Sequence, residues 1–413
     1  MTSGMREGPR SGGSSAIDAR RRGYDGYGSY QYLRAGRDYT RYKLSSELSR
    51  VPESWVVLDE TQEARVEELA TKCLIISLHD HASVRPEKPA DFGPYREQGR
   101  EFTPYRGLAA SPLDVVFDGG MATVSKAWHL RAWAWEDIVA DLGMRQSDWA
   151  HQAMVTVIRS TQDILACKAS RRIGLVLTLE AADPIGDELD RLDVLYGLGV
   201  RSIGVSYNKG NVLGSGLADA EDSGLTHFGR AAVRRMNQLG ILIDLSHAGD
   251  RTSLDTISAS KAPVVISHAG ARAVWPTARM KPDEVIKACA AAGGIIGIEA
   301  APASTLADDP TRHDIESVFR HFTHCLELVG TDHVSFGPDT HYGDHAAWSR
   351  MFFGHAAKAS PLDDLTVPWV IGGENPTEIW WNIMRLLVRE GFSDLEIAKF
   401  VGGNIMRVLG DSW

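Results

Sequence analysis

The run Leu74-Ile-Ile-Ser-Leu-His-Asp-His81 decides the fold. Its first five residues form a short, almost continuous apolar stretch. Such a stretch marks a strand buried on both faces, and strands of that kind belong to parallel sheets. An amphipathic helical segment, Thr61–Cys73, leads into it. Apolar runs of the same kind recur at Ile173–Leu179, Ser202–Val205, Ile241–Leu245, Val264–Ile266, Ile295–Ile298 and His333–Phe336, with a weaker one at Gly120–Val124. Between them lie segments of helical periodicity, at Asp187–Leu198, Gly229–Leu239, Asp250–Ser260, Pro282–Ala291 and Asp314–Val329. Eight strand candidates alternating with helices predict an α/β fold of the (β/α)8 barrel type. No GxGxxG or Walker sequence follows a strand, which weighs against an open nucleotide-binding sheet.

Composition limits the rest. The chain has 413 residues, 43% apolar and 24% charged, with a formal net charge of −10. A large core is available, and the acidic balance argues against nucleic acid or an anionic membrane as a partner. The charge is uneven: residues 1–50 carry ten Lys/Arg and five Asp/Glu, so they hold +5 and the remainder −15. Residues 1–55 therefore read as a basic, Tyr- and Gly-rich arm, partly disordered, and residues 56–413 as one barrel. Arg and Tyr alternate in Arg20–Tyr42, a composition that can bind nucleic acid, but an arm lying on the acidic barrel or on a second subunit is the expected arrangement. A basic arm and an acidic body suggest self-association, so a homo-oligomer is expected. The proline-rich stretch 83–118 is expected to be a long loop inserted after the first strand, over the active face. The absence of an apolar leader or an 18-residue apolar span, and four cysteines without CxxC spacing, indicate a cytoplasmic protein.

In barrel enzymes the reacting groups sit at C-terminal strand ends. The opening strand ends in His79-Asp80-His81, whose two imidazoles at i and i+2 point to one side. The next strand ends are Glu180, Ser246-His247, Ser267-His268 and Gly337-Pro338-Asp339. Imidazole and carboxylate donors on one rim suit Zn²⁺ or a similar divalent ion, and two ions bridged by a carboxylate would use all of them. Tryptophan is also plentiful. Trp128, Trp133 and Trp135, with Trp348, Trp380 and Trp381, read either as core packing or as an aromatic substrate pocket that includes Trp128. His321 and His324 have the i, i+3 spacing of a possible metal pair, but a solvated helix face is the expected reading.

The motifs Gly224-Leu-Thr-His-Phe-Gly229, Met236-Asn-Gln-Leu-Gly-Ile-Leu-Ile-Asp-Leu-Ser-His247, Ala262-Pro-Val-Val-Ile-Ser-His268, Arg279-Met-Lys-Pro-Asp-Glu284 and Gly402-Gly-Asn-Ile-Met-Arg-Val-Leu409 resemble the renal (membrane) dipeptidase family, within the metal-dependent amidohydrolase-like barrels. The resemblance covers about residues 60–410, and the chain looks like a divergent, bacterial-type member. It implies that His79 and His81 hold one ion, that Glu180 bridges, and that His247 and His268 hold a second. The ions would be Zn²⁺, with Mn²⁺ or Fe²⁺ as alternatives. It implies that Asp339 binds the bridging water and shuttles its proton, and that Arg279 clamps a substrate carboxylate beside the scissile amide. A bridging hydroxide would then attack the amide carbonyl.

Three departures from the family pattern stand out. The family has His-x-Asp on the first strand, where this chain has His79-Asp-His81. A substrate-contacting His is replaced by Tyr207, which can donate to an oxyanion but cannot become a cation. The family's Asp-Phe-Asp-Gly is here Asp339-Thr-His-Tyr-Gly-Asp344, which brings His341 and His345 to the mouth as extra ligands or substrate contacts. The expected activity is a binuclear amide hydrolase acting on a small carboxylate-bearing molecule. A hydrolase or decarboxylase of a non-peptide carboxylate is the second reading, because His-x-His also occurs in that wider superfamily. A barrel that has lost catalysis and serves as a binding subunit is the third.

Overall fold

The computed structural model describes residues 4–8, 23–98, 100–119, 134–356 and 367–413. Eight parallel strands run around a barrel: β1 Ile76–Asp80, β2 Val115–Asp118, β3 Ile173–Leu179, β4 Val200–Gly204, β5 Leu242–Asp244, β6 Val265–Ala269, β7 Ile295–Ile298 and β8 Val334–Phe336. Neighbours in sequence are neighbours in the sheet, from Ile76 opposite Val115 to Ile296 opposite Val334. A short strand, Val155–Val157, pairs with the outer start of β3. Side chains of β1, β2, β3 and β5 to β7 (Ile76, Leu78, Phe117, Val176, Leu242, Val265 and Ile295 among them) pack with Ile405, Val408 and Leu409 of the C-terminal helix in one apolar layer. A second, larger layer joins the outer strand faces to the helices.

The first and last strands meet through their ends. Asp339 N donates to His79 O at 2.9 Å, and His81 N donates to Thr340 O at 3.0 Å. Asp80 locks this seam. Its Oδ1 accepts from Thr340 N at 2.9 Å and from Thr340 Oγ1 at 2.6 Å, while its Oδ2 accepts from Ser77 Oγ at 2.7 Å and Trp380 Nε1 at 2.9 Å. Asp80 thus turns to the outer layer while His79 and His81 take the mouth. A register shift between Ser77 and Asp80 accompanies the change. Simple alternation would have kept Leu78 and Asp80 on one face, and a bulge breaks that alternation.

The structure revises several sequence-based expectations. The second strand is Val115–Asp118, inside the stretch expected to be loop, and the expected Gly120–Val124 strand lies outside the described residues. The stretch 83–118 also holds helical turns at Phe92–Glu97 and Tyr105–Ala110. Salt bridges tie it down, including Arg85 to Glu101 at 2.9 Å and Arg145 to Asp118. Trp348 is buried against Phe92 with the Arg85 guanidinium 4.7 Å from its ring, and Trp380 and Trp381 are core residues. Within the arm, Tyr30 is fully buried; its N–H and the Tyr27 hydroxyl both donate to Asp148 Oδ1, at 2.7 and 2.8 Å.

His321 is buried rather than solvated. It lies on α1, the helix Ile315–Val329. Its Nδ1 accepts from Ala271 N at 3.0 Å and its Nε2 donates to Leu306 O at 2.8 Å, which pins the loop after β6. Burial pulls its pKa down to about 4. The unfolded chain takes up this proton below about pH 6.5, whereas the folded chain resists it until about pH 4. The stability that wild type owes to neutral His321 is therefore lost as pH falls through that window. In urea titrations the advantage of wild type over His321→Gln should shrink by about 2 kcal/mol between pH 7 and 4.5; a constant difference contradicts this. Asp80→Ala leaves four buried donors unpaired and should cost on the order of 3 kcal/mol or more. An unchanged denaturation midpoint would mean that the seam closes without Asp80.

Candidate metal centre

The six strand-end residues come together in the mouth. His79 Nε2 is 3.9 Å from Glu180 Oε1 and 3.5 Å from Asp339 Oδ1. His81 Nε2 lies 2.8 Å from the same Asp339 oxygen. The other oxygen of Glu180, Oε2, lies 3.6 Å from His247 Nε2. The Nε2 atoms of His247 and His268 are 3.0 Å apart. Three triads with metal-ligand spacing follow among the described residues: His79–His81–Glu180 and Glu180–His247–His268, which share the glutamate, and His81–Asp339–His341. Asp339 has φ of +56°, a left-handed conformation uncommon outside glycine and typical of functional sites.

The neighbours of His247 and His268 fix which nitrogen each presents. His247 Nδ1 donates to Asn208 Oδ1 at 3.0 Å, which leaves Nε2 with a lone pair. His268 Nδ1 donates to Ser267 Oγ at 2.7 Å, and that hydroxyl donates in turn to Asp244 Oδ2 at 2.6 Å. Its Nε2 is therefore bare as well. Burial, helped by the positive charge of Arg279 nearby, holds both rings neutral, well below the usual histidine range. Two lone pairs facing each other across 3.0 Å repel unless a cation lies against them.

The remaining electrostatics fit the same need. Burial pushes Glu180 up to about 8, against the pull of His79. His79 itself rises to about 9, because Asp339 and Glu180 outweigh the effect of its burial. His79 Nε2, His81 Nδ1 and Glu180 Oε1 are buried without a hydrogen-bond partner. A Cβ on Gly119 would stand 2.2 Å from His79 Cε1, so the glycine makes room for that ring. The donor set, imidazoles with carboxylates, fits a divalent cation of the Zn²⁺ class, which would take the place of the proton on His79.

The other expected site residues fall around this cluster. Tyr207 stacks on His247 with ring centroids 4.1 Å apart. His341 stacks on His81 at 3.7 Å, and Arg85 donates to its Nδ1 at 3.0 Å. A guanidinium can only donate, so the His341 proton sits on Nε2. His341 therefore offers a donor there, not a third ligand beside His81 and Asp339. His345 packs edge-on against His341, 4.2 Å away. Trp128 lies outside the described residues. Arg279 reaches the rim, but it already holds a carboxylate of the chain itself, Glu299. It also donates to His268 O at 2.8 Å and Ser246 O at 3.2 Å.

Sequence reasoning missed Glu299 and Asn208. Glu299 is the first residue after the apolar run of β7, the position that singled out Glu180 after β3. Asn208 carries no comparable signal, since it works only through His247.

A family model described as membrane dipeptidase (peptidase family M19) matches residues 143–347. Dipeptidase tcpJ of Claviceps purpurea is 27% identical over 66% of this chain and 56% of its own length. Dipeptidase verJ of Clonostachys rogersoniana is 29% identical over 66% of this chain and 63% of its own length. The chain thus spans less than two thirds of either curated relative. Among solved structures, an amidohydrolase from Pseudomonas aeruginosa superposes with a TM-score of 0.68 at 24% identity, covering 84% of this chain and 99% of that one. That likeness supports the barrel fold.

Asn208→Ala removes the acceptor that orients His247 and should weaken divalent-ion binding about 10- to 100-fold. Competition against a chromophoric chelator measures it, and unchanged affinity would show that His247 needs no such support.

Proposed function

Because the chain belongs to the membrane dipeptidase family, we propose that it is a metal-dependent hydrolase that cleaves an amide bond in a small, dipeptide-like molecule. The observation that carries this reading is Glu180, whose two oxygens face different histidines and which is common to two of the three ligand triads. His79, His81 and Glu180 would hold one divalent ion, and Glu180, His247 and His268 a second. Zn²⁺ suits the donors best, and Mn²⁺ or Fe²⁺ can take the same set. Ions bound there supply Lewis acidity and lower the pKa of the attacking water.

The chain's own groups do the rest. Burial opposes ionisation of Asp339, but the neighbouring imidazoles of His79 and His81, the latter hydrogen-bonded to its Oδ1, outweigh it and hold the carboxylate well below its usual range. Asp339 would accept the proton of the attacking water and return it to the leaving nitrogen. The Tyr207 phenol is kept protonated by burial and by the negative charges of Glu180 and Asp339, so it serves as a donor to the developing oxyanion. His341 Nε2–H is a second neutral donor on the same side as Asp339.

His81 favours a second reading, in which the site acts on a non-peptide carboxylate, as a hydrolase or a decarboxylase. An added imidazole in place of a carboxylate leaves the site one unit more positive. A screen of dipeptides and N-acyl amino acids against the zinc- or manganese-loaded protein separates the two. Amine release supports amide hydrolysis, whereas CO₂ release without amine supports the alternative. Asp339→Asn should lower amide turnover by about 10²–10⁴-fold, and undiminished turnover would remove Asp339 from the chemistry.

A further inference from the structure

Arg279 stands where a substrate carboxylate would be read, and its positive charge is already answered. The Glu299 side chain is fully buried and that of Arg279 is 13% exposed, so their ion pair is largely shielded from water. Glu299 is held in place by its backbone: its N–H donates to Ala269 O at 2.9 Å, and its carbonyl accepts from Thr305 Oγ1 at 2.9 Å. It follows Ile298 of β7 directly and so occupies the rim position of its strand, as Glu180 does on β3. Its second oxygen, Oε1, is buried and has no donor at hydrogen-bond distance; the nearby Ser304 hydroxyl donates to Ala301 O instead.

A substrate carboxylate arriving at Arg279 would have to share one cation with Glu299. Two carboxylates close together in a low-dielectric pocket repel strongly. Lys281, a buried neighbour of Arg279, has its Nζ turned to Ala248 O and Ser253 Oγ. A neutral substrate end meets the opposite situation. An amide N–H can donate to Glu299 Oε1, which otherwise leaves a buried acceptor unsatisfied.

On the hydrolase reading above, we infer that Glu299 is an internal substitute for the substrate carboxylate, so that the site selects small amides whose carboxyl end is blocked and offers an N–H donor. Glu299 is thereby a specificity-determining residue that acts beside Arg279. A dipeptide amide belongs to this class, and a free dipeptide does not.

The test compares alanyl-alaninamide with alanyl-alanine on the zinc-loaded full chain, following cleavage of the Ala–Ala bond by chromatography. Wild type should cleave the amide with kcat/KM at least tenfold above that of the free acid. Glu299→Gln should raise kcat/KM for the free acid at least tenfold, mainly through a lower KM. A wild-type preference for the free acid overturns the inference, as does an acid-to-amide ratio that Glu299→Gln leaves unchanged. The wild-type ratio decides alone if the variant does not fold. If neither peptide is cleaved, the hydrolase reading fails separately, and calorimetry with N-acetylalaninamide and N-acetylalanine still decides the role of Glu299. Tighter binding of the amide supports that role; tighter or equal binding of the acid, or no binding of either, rejects it.

Discussion

The site depends on one buried carboxylate that never enters it. Asp80 gathers the hydroxyl and N–H of Thr340, the hydroxyl of Ser77 and the indole N–H of Trp380, and so joins the last strand to the first. His79 and His81 flank it in sequence, and Asp339 precedes Thr340. The hydrogen bonds that close the barrel therefore also set the distance between the two imidazoles and the carboxylate they face. Burial pushes Asp80 up to about 6, opposed by those four donors. This is the electrostatic cost of keeping it in the outer layer, and closure of the barrel offsets it.

The rim is built on the same plan elsewhere. Asp244 takes the hydroxyls of Ser246 and Ser267, and Ser267 fixes the tautomer of His268. Asn208 does the same for His247, and Arg85 for His341. Each imidazole whose outer nitrogen is held in this way has its inner nitrogen committed to one role, either lone pair or donor. The rings of His247, His268 and His341 are thereby neutral, while Asp339 and Glu180 raise His79, and the buried atoms left without partners are those that a cation would satisfy.

Much of this was legible in the chain. The continuous apolar runs of β3 and β7 appear with the boundaries expected of them, and the strand-end rule picked out His79, His81, Glu180, His247, His268 and Asp339, which the fold brings together. The misses have physical causes. Val115–Asp118 is only four residues long and follows a proline-rich segment, so local composition spoke for loop. His321 looked exposed because its partners, Ala271 and Leu306, come from loops far away in sequence. Glu299 was readable by the strand-end rule. What the sequence could not reveal is its pairing with Arg279, since that pairing exists only once β7 lies beside β6.

The central claim is that Glu180 lies between two metal sites. Crystals of the zinc-loaded protein, measured for anomalous scattering at the zinc edge, test it directly. The account predicts two peaks in each chain, one among His79, His81 and Glu180 and the other among Glu180, His247 and His268. A single peak, or peaks away from Glu180, would contradict it.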